Sequence, residues 1–309
     1  MLEPTPASRL ARAFLSLEGL SLGDSFGEGF FGNTALAVRR ITERSLPAPI
    51  WGYTDDTVMA LGLLEMLQQY GRVEQDHLAQ TFATNYWVDP QRGYGPSMHT
   101  LLQDIRHGGH WHLLARKQFS GQGSYGNGSA MRVAPLGAYF ADDLTLVVEQ
   151  ARLSSVVTHT HEEAIAGAIA VAVAAAHAAR LGETGETPTP AEFLDSVLPF
   201  LPDTEVRSKI RQARDFSPDA SLFFAVSALG SGKDISAQDT VPFALWCAAQ
   251  YLSNYEEAMW LTVGGLGDRD TTCAIAGGIV ALSAGFRSIP KDWRQAREPL
   301  PNWIKTKQD

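Results

Sequence analysis

The sequence predicts an all-α fold, a compact single domain of many helices, on three observations. Apolar residues recur at helical spacing, one long stretch is dominated by alanine, and no run alternates apolar with polar residues long enough to build a sheet. From Thr57 the segment TVMALGLLEMLQQYG places Met59, Leu63, Met66 and Leu67 at helical spacing, and Gly71 is a natural stop. Residues 144–157 repeat the pattern. Residues 162–181 are alanine-rich, which favours helix and lets neighbouring helices approach closely. Residues 182–190 (GETGETPTP) are nine turn formers, the length of a surface loop rather than an interdomain tether. Residues 220–229, 241–252 and 272–284 give the remaining helical patterns. Glycines cluster at residues 23–32, 93–95, 108–128 and 264–267, which read as junctions where backbone turns sharply or comes close to a ligand.

Of the 309 residues, 45% are hydrophobic, enough to bury one large core. No Pro/Gly/Ser-rich linker or long charge run divides them, so residues 1–309 are expected to be one domain. The formal net charge of -9 repels polyanions, and no stable nucleic-acid partner is expected. A phosphate-bearing ligand would need local positive potential from bound cations, helix N-termini or backbone amides. Cys247 and Cys273 stand in no CxxC or zinc spacing and read as buried, reduced thiols. The N-terminus lacks the basic start and apolar run of a signal peptide. No uninterrupted apolar run approaches the roughly 20 residues of a membrane span, and at 164–179 the alanine richness and adjacent His177 point to a buried helix. A monomeric, cytoplasmic protein without membrane association is the default expectation.

Two acidic motifs carry the chemistry. Thr54-Asp55-Asp56-Thr57 stands directly in front of an apolar helix. Adjacent carboxylates repel, so two at a helix start need compensation by the dipole, by unsatisfied amides or by a cation. Asp268-Arg269-Asp270-Thr271-Thr272 also precedes an apolar helix and follows the turn VGGLG. Residues two apart share no face inside a helix, so Asp268 and Asp270 point at one spot only from the turn entering it. Alone, each motif reads equally as a cap. Together they offer four carboxylates and two threonine hydroxyls without nearby Cys or His, a hard oxygen set suited to magnesium, manganese or calcium.

Other segments are less specific. Gly123-Ser124-Tyr125-Gly126-Asn127-Gly128 is glycine-punctuated, so its amides suit a diphosphate while Tyr125 suits a ring, but it reads equally as a turn. His159 in THTH precedes the alanine-rich helix, where capping is the plain reading. His107, His110 and His112 have irregular spacing and no assisting thiol, and read as a solvated loop rather than a zinc site.

Taken in order, GDSFGEGFFG from Gly23, TDDT, GYG, GSYGNGSAMRVAPLG, THTHEEAIAGA and GDRDTT resemble the ADP-ribosylglycohydrolase family over nearly the whole chain. It is similar above all to the ADP-ribosylserine and poly(ADP-ribose) hydrolases and the dinitrogenase-reductase-activating glycohydrolases. The resemblance implies two magnesium ions, with manganese possible, held by Thr54, Asp55, Asp56, Asp268, Asp270 and Thr271. It implies ADP-ribose contacts at Gly93, Tyr94 and Gly95, at Gly123, Ser124, Tyr125, Gly126 and Asn127, and at His159. The implied partner is ADP-ribose on a protein or other conjugate, whose glycosidic bond is hydrolysed with Asp56 at the centre. Arg269 stands where relatives carry threonine or valine, and its side chain is expected to point away from the metals. The catalytic glutamate of relatives corresponds to Phe31; Glu28 is the nearest substitute and Asp89 an alternative, with Asp24 structural. That departure leaves a second reading open, an ADP-ribose-binding module impaired in catalysis.

Overall fold

Thr5 caps and Pro6 opens the first helix, Pro6–Glu28, whose glycines fix the rest of the architecture. Gly19, Gly23 and Gly27 lie four residues apart on one face, opposite Gly277, Cys273 and Arg269 on the antiparallel helix Arg269–Ala284. A Cβ at Gly19, Gly23 or Gly27 would fall 2.3, 2.1 or 2.2 Å from the facing carbonyl oxygen, so backbone rests on backbone along the seam. Gly23 and Gly27 are therefore interior helix positions and not the junction that their clustering suggests. Ser16 Oγ donates to the Gly278 carbonyl at 2.8 Å, and the Tyr255 hydroxyl to the Gly19 carbonyl at 2.6 Å.

The structure, a computed structural model, describes residues 5–304. Sixteen α-helices and three 3-10 turns account for its regular structure, and no strand occurs among the described residues beyond the isolated bridges Trp51–Arg297 and Gly126–Ser236. One hydrophobic core runs from Ala13 to Trp293. Its centre is the alanine-rich helix Glu162–Thr184. Its small side chains admit the helix Ala134–Tyr139 so closely that a Cβ at Gly137 would lie 2.0 Å from the Ala172 carbonyl oxygen. This helix is long and apolar enough to cross a membrane, but 78% of its apolar stretch is buried by the protein's own helices.

The sequence-read helices appear as Asp55–Tyr70, Leu144–Val156, Glu162–Thr184, Leu222–Leu229, Ala237–Gln250 and Arg269–Ala284. The loop read at 182–190 shrinks to 185–189, because the alanine-rich helix continues to Thr184 and stops at Gly185 in left-handed geometry (φ 75°). Helices at Gln75–Val88, Pro96–Arg106, Trp111–Gly121 and Tyr255–Val263 are not read from the sequence, although Met98, Leu101, Leu102 and Ile105 stand at helical spacing. The glycine cluster at 108–128 thus contains a helix, broken at its end by non-helical Gln118, Phe119 and Ser120. His107, His110 and His112 are exposed around its start.

Candidate active site

Normally the first carboxylates of a helix satisfy its free N–H groups. In Asp55–Tyr70 other groups take that task. The Thr54 amide donates to Asp24 (3.0 and 3.1 Å), that of Asp55 to the Arg92 carbonyl (2.6 Å), and that of Asp56 to the Thr54 hydroxyl (3.3 Å). The Thr57 amide and hydroxyl both donate to Asp24, at 3.1 and 2.5 Å. With all four N-terminal amides satisfied, the carboxylates of Asp55 and Asp56 are released from capping. Asp24, fully buried, is structural as its sequence context suggested.

The second acidic motif is freed in the same way. Asp268 is the N-cap of Arg269–Ala284 but makes no side-chain cap bond, and its amide donates to the Ser231 carbonyl at 3.1 Å. Its carboxylate instead accepts from Asn127 Nδ2 at 2.8 Å. The Thr271 hydroxyl reaches Asp56 Oδ1 at 3.5 Å, joining the two motifs across more than two hundred residues of chain.

Asp55, Asp56, Asp268, Asp270 and Thr271 thus meet at one end of a cleft of about 510 Å³. Two buried oxygens there, Asp56 Oδ2 and Asp270 Oδ1, have no hydrogen-bond partner. Burial, then the Asp270 charge, holds Asp56 well above the usual carboxylate range; burial and Asp268 do the same to Asp270. Burial and Asp24 push Asp55 up to about 8, and burial pushes Asp24 up to about 6. Carboxylates so placed ionise together only beside positive charge, and no Lys or Arg makes an ion pair with any of these five carboxylates among the described residues. A donor set of hard oxygens with two orphaned atoms fits divalent cations of the magnesium class.

The rest of the cleft is built by three loops. Residues 124–128 form one wall, held to residues 235–237 by Asn127 N to the Ile235 carbonyl (3.2 Å) and Ala237 N to the Tyr125 carbonyl (2.9 Å). Ser124, Tyr125, Gly126, Asn127 and His159 line it, as do Gly93 and Gly95 opposite. Gly123 is outside this wall; its φ of 77° lets it pass within contact of Thr160. The Asn127 side-chain amide is committed to Asp268 and Thr240, so it positions a carboxylate. Exposed Phe119 and Tyr125 stand with ring centroids 5.8 Å apart at the rim.

Four further sequence candidates are not brought to the cleft wall: Thr54, whose hydroxyl accepts from the Asp56 amide, and Tyr94, Asp89 and Glu28. Tyr94 is buried against Tyr86, ring centroids 5.0 Å apart. Asp89 accepts from Arg92 Nε at 2.9 Å, and Arg92 also pairs with Glu298. Glu28 is exposed at the end of the first helix, held above its ordinary pKa by partial desolvation, then by Asp24 and Asp268. Arg269 donates to the Phe30 and Leu266 carbonyls (2.6 and 3.1 Å), lies under the Phe31 ring, and does not line the cleft. Sequence reasoning passed over Phe119, Asp234 and Ile235, all lining residues, and buried Arg132. The turn formers of GSGKDIS around Gly230 and Gly232 were the available signal for the second and third.

Comparison with known proteins gives the family and the fold. A family model described as ADP-ribosylglycohydrolase matches residues 5–307. The protein named ADP-ribosylhydrolase ARH3 of Xenopus tropicalis is 29% identical, over 94% of this chain and 92% of its own length. The Homo sapiens protein of the same name is 30% identical, over 80% of this chain and 74% of its own. A solved structure described as an ADP-ribosylglycohydrolase-related protein complex matches with a TM-score of 0.60 at 24% identity, covering 94% of both chains, a likeness of fold.

Proposed function

We propose, since the chain belongs to the ADP-ribosylglycohydrolase family, that it hydrolyses the glycosidic bond between ADP-ribose and a modified acceptor with two divalent cations, magnesium or manganese. The observation that carries the metal reading is the pair of buried, unpartnered oxygens, Asp56 Oδ2 and Asp270 Oδ1, in a cluster to which no Lys or Arg among the described residues makes an ion pair. Thr54, Asp55, Asp56, Asp268, Asp270 and Thr271 would hold the ions. Bound there, the cations supply Lewis acidity and neutralise the carboxylates.

The chain's own residues bind and orient the rest. Gly126 and Gly128 bring bare backbone beside His159, which suits a diphosphate. Phe119 and Tyr125 offer a face for a planar base. The distal ribose would lie between them and the acidic residues, whose negative charge would stabilise oxocarbenium character at the breaking bond. Glu28, near enough to Asp268 for the two charges to interact, is the carboxylate we assign to proton transfer.

The exposure of Glu28 and its place outside the cleft wall favour a second reading, an ADP-ribose-binding module. One assay separates the two. ADP-ribose linked to arginine, to serine, in polymer and as O-acetyl-ADP-ribose is incubated with the chain and magnesium, manganese or EDTA. Release of free ADP-ribose from any of these, abolished by EDTA, is expected. Magnesium-dependent binding of ADP-ribose by calorimetry with no release selects the module, and AMP as product indicates a phosphoesterase.

A further inference from the structure

Beneath the glycine wall of the cleft lies a buried cation that the proposed chemistry does not use. Arg132 has no exposed surface and no ion pair among the described residues. Its Nη1 donates to the Gly128 carbonyl (3.2 Å), its Nη2 to the Ser154 carbonyl (3.1 Å) and the Thr158 hydroxyl (2.9 Å), and its face lies on the Phe82 ring at 4.4 Å. The Asp55 charge interacts with it but makes no ion pair, and a buried guanidinium without a direct partner is costly, so its retention asks for a task.

The hydrogen-bond sequence beyond it supplies one. Guanidinium only donates, so the Thr158 oxygen accepts from Arg132. Its single proton is then left for a partner elsewhere, and the ring nitrogen Nδ1 of His159 stands 2.7 Å away. The hydroxyl oxygen keeps a second lone pair, but its proton meets no other acceptor among the described residues, so the arrangement that satisfies this buried hydroxyl has it donating to an unprotonated Nδ1, with the ring proton on Nε2. Protonation of both nitrogens is opposed by burial and by the neighbouring Arg132 charge, which together push His159 down to about 3. Nε2 faces the glycines: a Cβ at Gly128 would lie 2.9 Å from it and at Gly126 3.4 Å. No side chain at either position stands over that nitrogen.

We infer that Arg132, acting through Thr158, is a positioning residue that locks His159 as the neutral Nε2–H tautomer and so makes it a fixed hydrogen-bond donor to a phosphate group lying along Gly126–Gly128. The lock is a property of the free chain; its phosphate ligand rests on the ADP-ribose reading above. A neutral donor holds an anion without exchanging a proton with it.

The test is nitrogen-15 NMR of the full chain with labelled histidine rings, paired with calorimetry using ADP-ribose and adenosine as probes. The free protein is expected to show His159 with Nε2 protonated and Nδ1 bare, unchanged between about pH 6 and pH 8 where free histidine titrates. ADP-ribose is expected to move the Nε2–H resonance and adenosine to leave it in place. Thr158→Val is expected to mix the tautomers and weaken ADP-ribose binding about tenfold, the order of one hydrogen bond to a charged group. Thr158→Ser is expected to restore both, which a merely structural role of the methyl group would not produce. A free protein with the proton on Nδ1, or with an imidazolium, overturns the lock whether or not the valine variant folds. ADP-ribose binding that leaves Nε2–H unmoved overturns the phosphate role. Absence of any ADP-ribose binding brings down the ADP-ribose reading instead, and with it the ligand half of this inference, while the spectrum still decides the lock.

Discussion

The same two helices, Pro6–Glu28 and Arg269–Ala284, build two regions of opposite character. Along the glycine seam backbones touch, and the Ser16 and Tyr255 hydroxyls each find a carbonyl. At the very end of the seam, where the second helix begins, Asp270 Oδ1 lies buried without a partner, as does Asp56 Oδ2 on the neighbouring helix Asp55–Tyr70. The seam explains how the cleft persists. Buried like charges push their helices apart, and only a region that is close-packed and cannot slide holds them in place. Asp24, on the seam helix, transmits that rigidity to the helix at Asp55 by capping it.

Replacing cleft residues should therefore cost activity and spare the fold, and replacing seam residues should do the reverse. The largest effect is expected for Asp56→Asn and Asp270→Asn, with release of ADP-ribose lower by at least about 10³-fold, about 4 kcal/mol of transition-state stabilisation. In EDTA the same variants should melt at a higher temperature than the parent, since each removes a buried carboxyl that must otherwise take up a proton or ionise without compensation. Retained turnover in both breaks the contrast. Next comes Gly23→Val, whose side chain has only 2.1 Å to the Cys273 carbonyl. A loss of about 3 kcal/mol in denaturant unfolding is expected, at the upper end for overpacking. An unchanged midpoint would mean that the helices slide freely, and the seam would lose its role.

A third, smaller effect concerns pH. Asp55 and Asp24 are raised in the folded chain to about 8 and about 6. The folded metal-free state thus holds protons that the unfolded state releases, so this contribution is full below the ordinary carboxylate pKa and is lost as pH rises towards about 8. Bound cations replace those protons. Magnesium is therefore expected to raise the melting temperature little near pH 5 and most near pH 8, by about 2 kcal/mol of stability at the upper end. A magnesium effect independent of pH would separate the metal from these carboxylates.

The fold was legible where one helix carries its own signal. TVMALGLLEMLQQYG and the alanine run declare themselves through period and composition, and the order of the acidic motifs was enough to foresee their meeting. The first helix was hidden because its glycines look like loop residues. Their spacing of four, 19–23–27, was the overlooked sign that they serve close packing. Tyr94 shows the opposite error: its loop reaches the cleft through Gly93 and Gly95, but alternate residues face apart, and the ring turns into the core. Arg132 is invisible to any reading that expects arginine at the surface.

Phe119 was illegible for a different reason, and it gives the finest test of the contrast. No local rule places a phenylalanine in left-handed backbone, yet Phe119 and Ser120 both adopt it (φ 49° and 58°), breaking the helix that begins at Trp111. Such conformations are held by their surroundings against about 1 kcal/mol or more each. Here they turn an exposed ring towards Tyr125 at the mouth of the cleft. Phe119→Gly removes the strain and the ring together. It is expected to leave the chain as stable as the parent or slightly more so by denaturant unfolding, while calorimetric affinity for ADP-ribose falls about tenfold, the scale of one base on one aromatic face. Phe119→Ala should lose the same affinity without relieving the strain. If instead both variants bind as the parent does, the strained turn serves something other than the cleft, and the division between a close-packed seam and an unsatisfied site no longer extends to its rim.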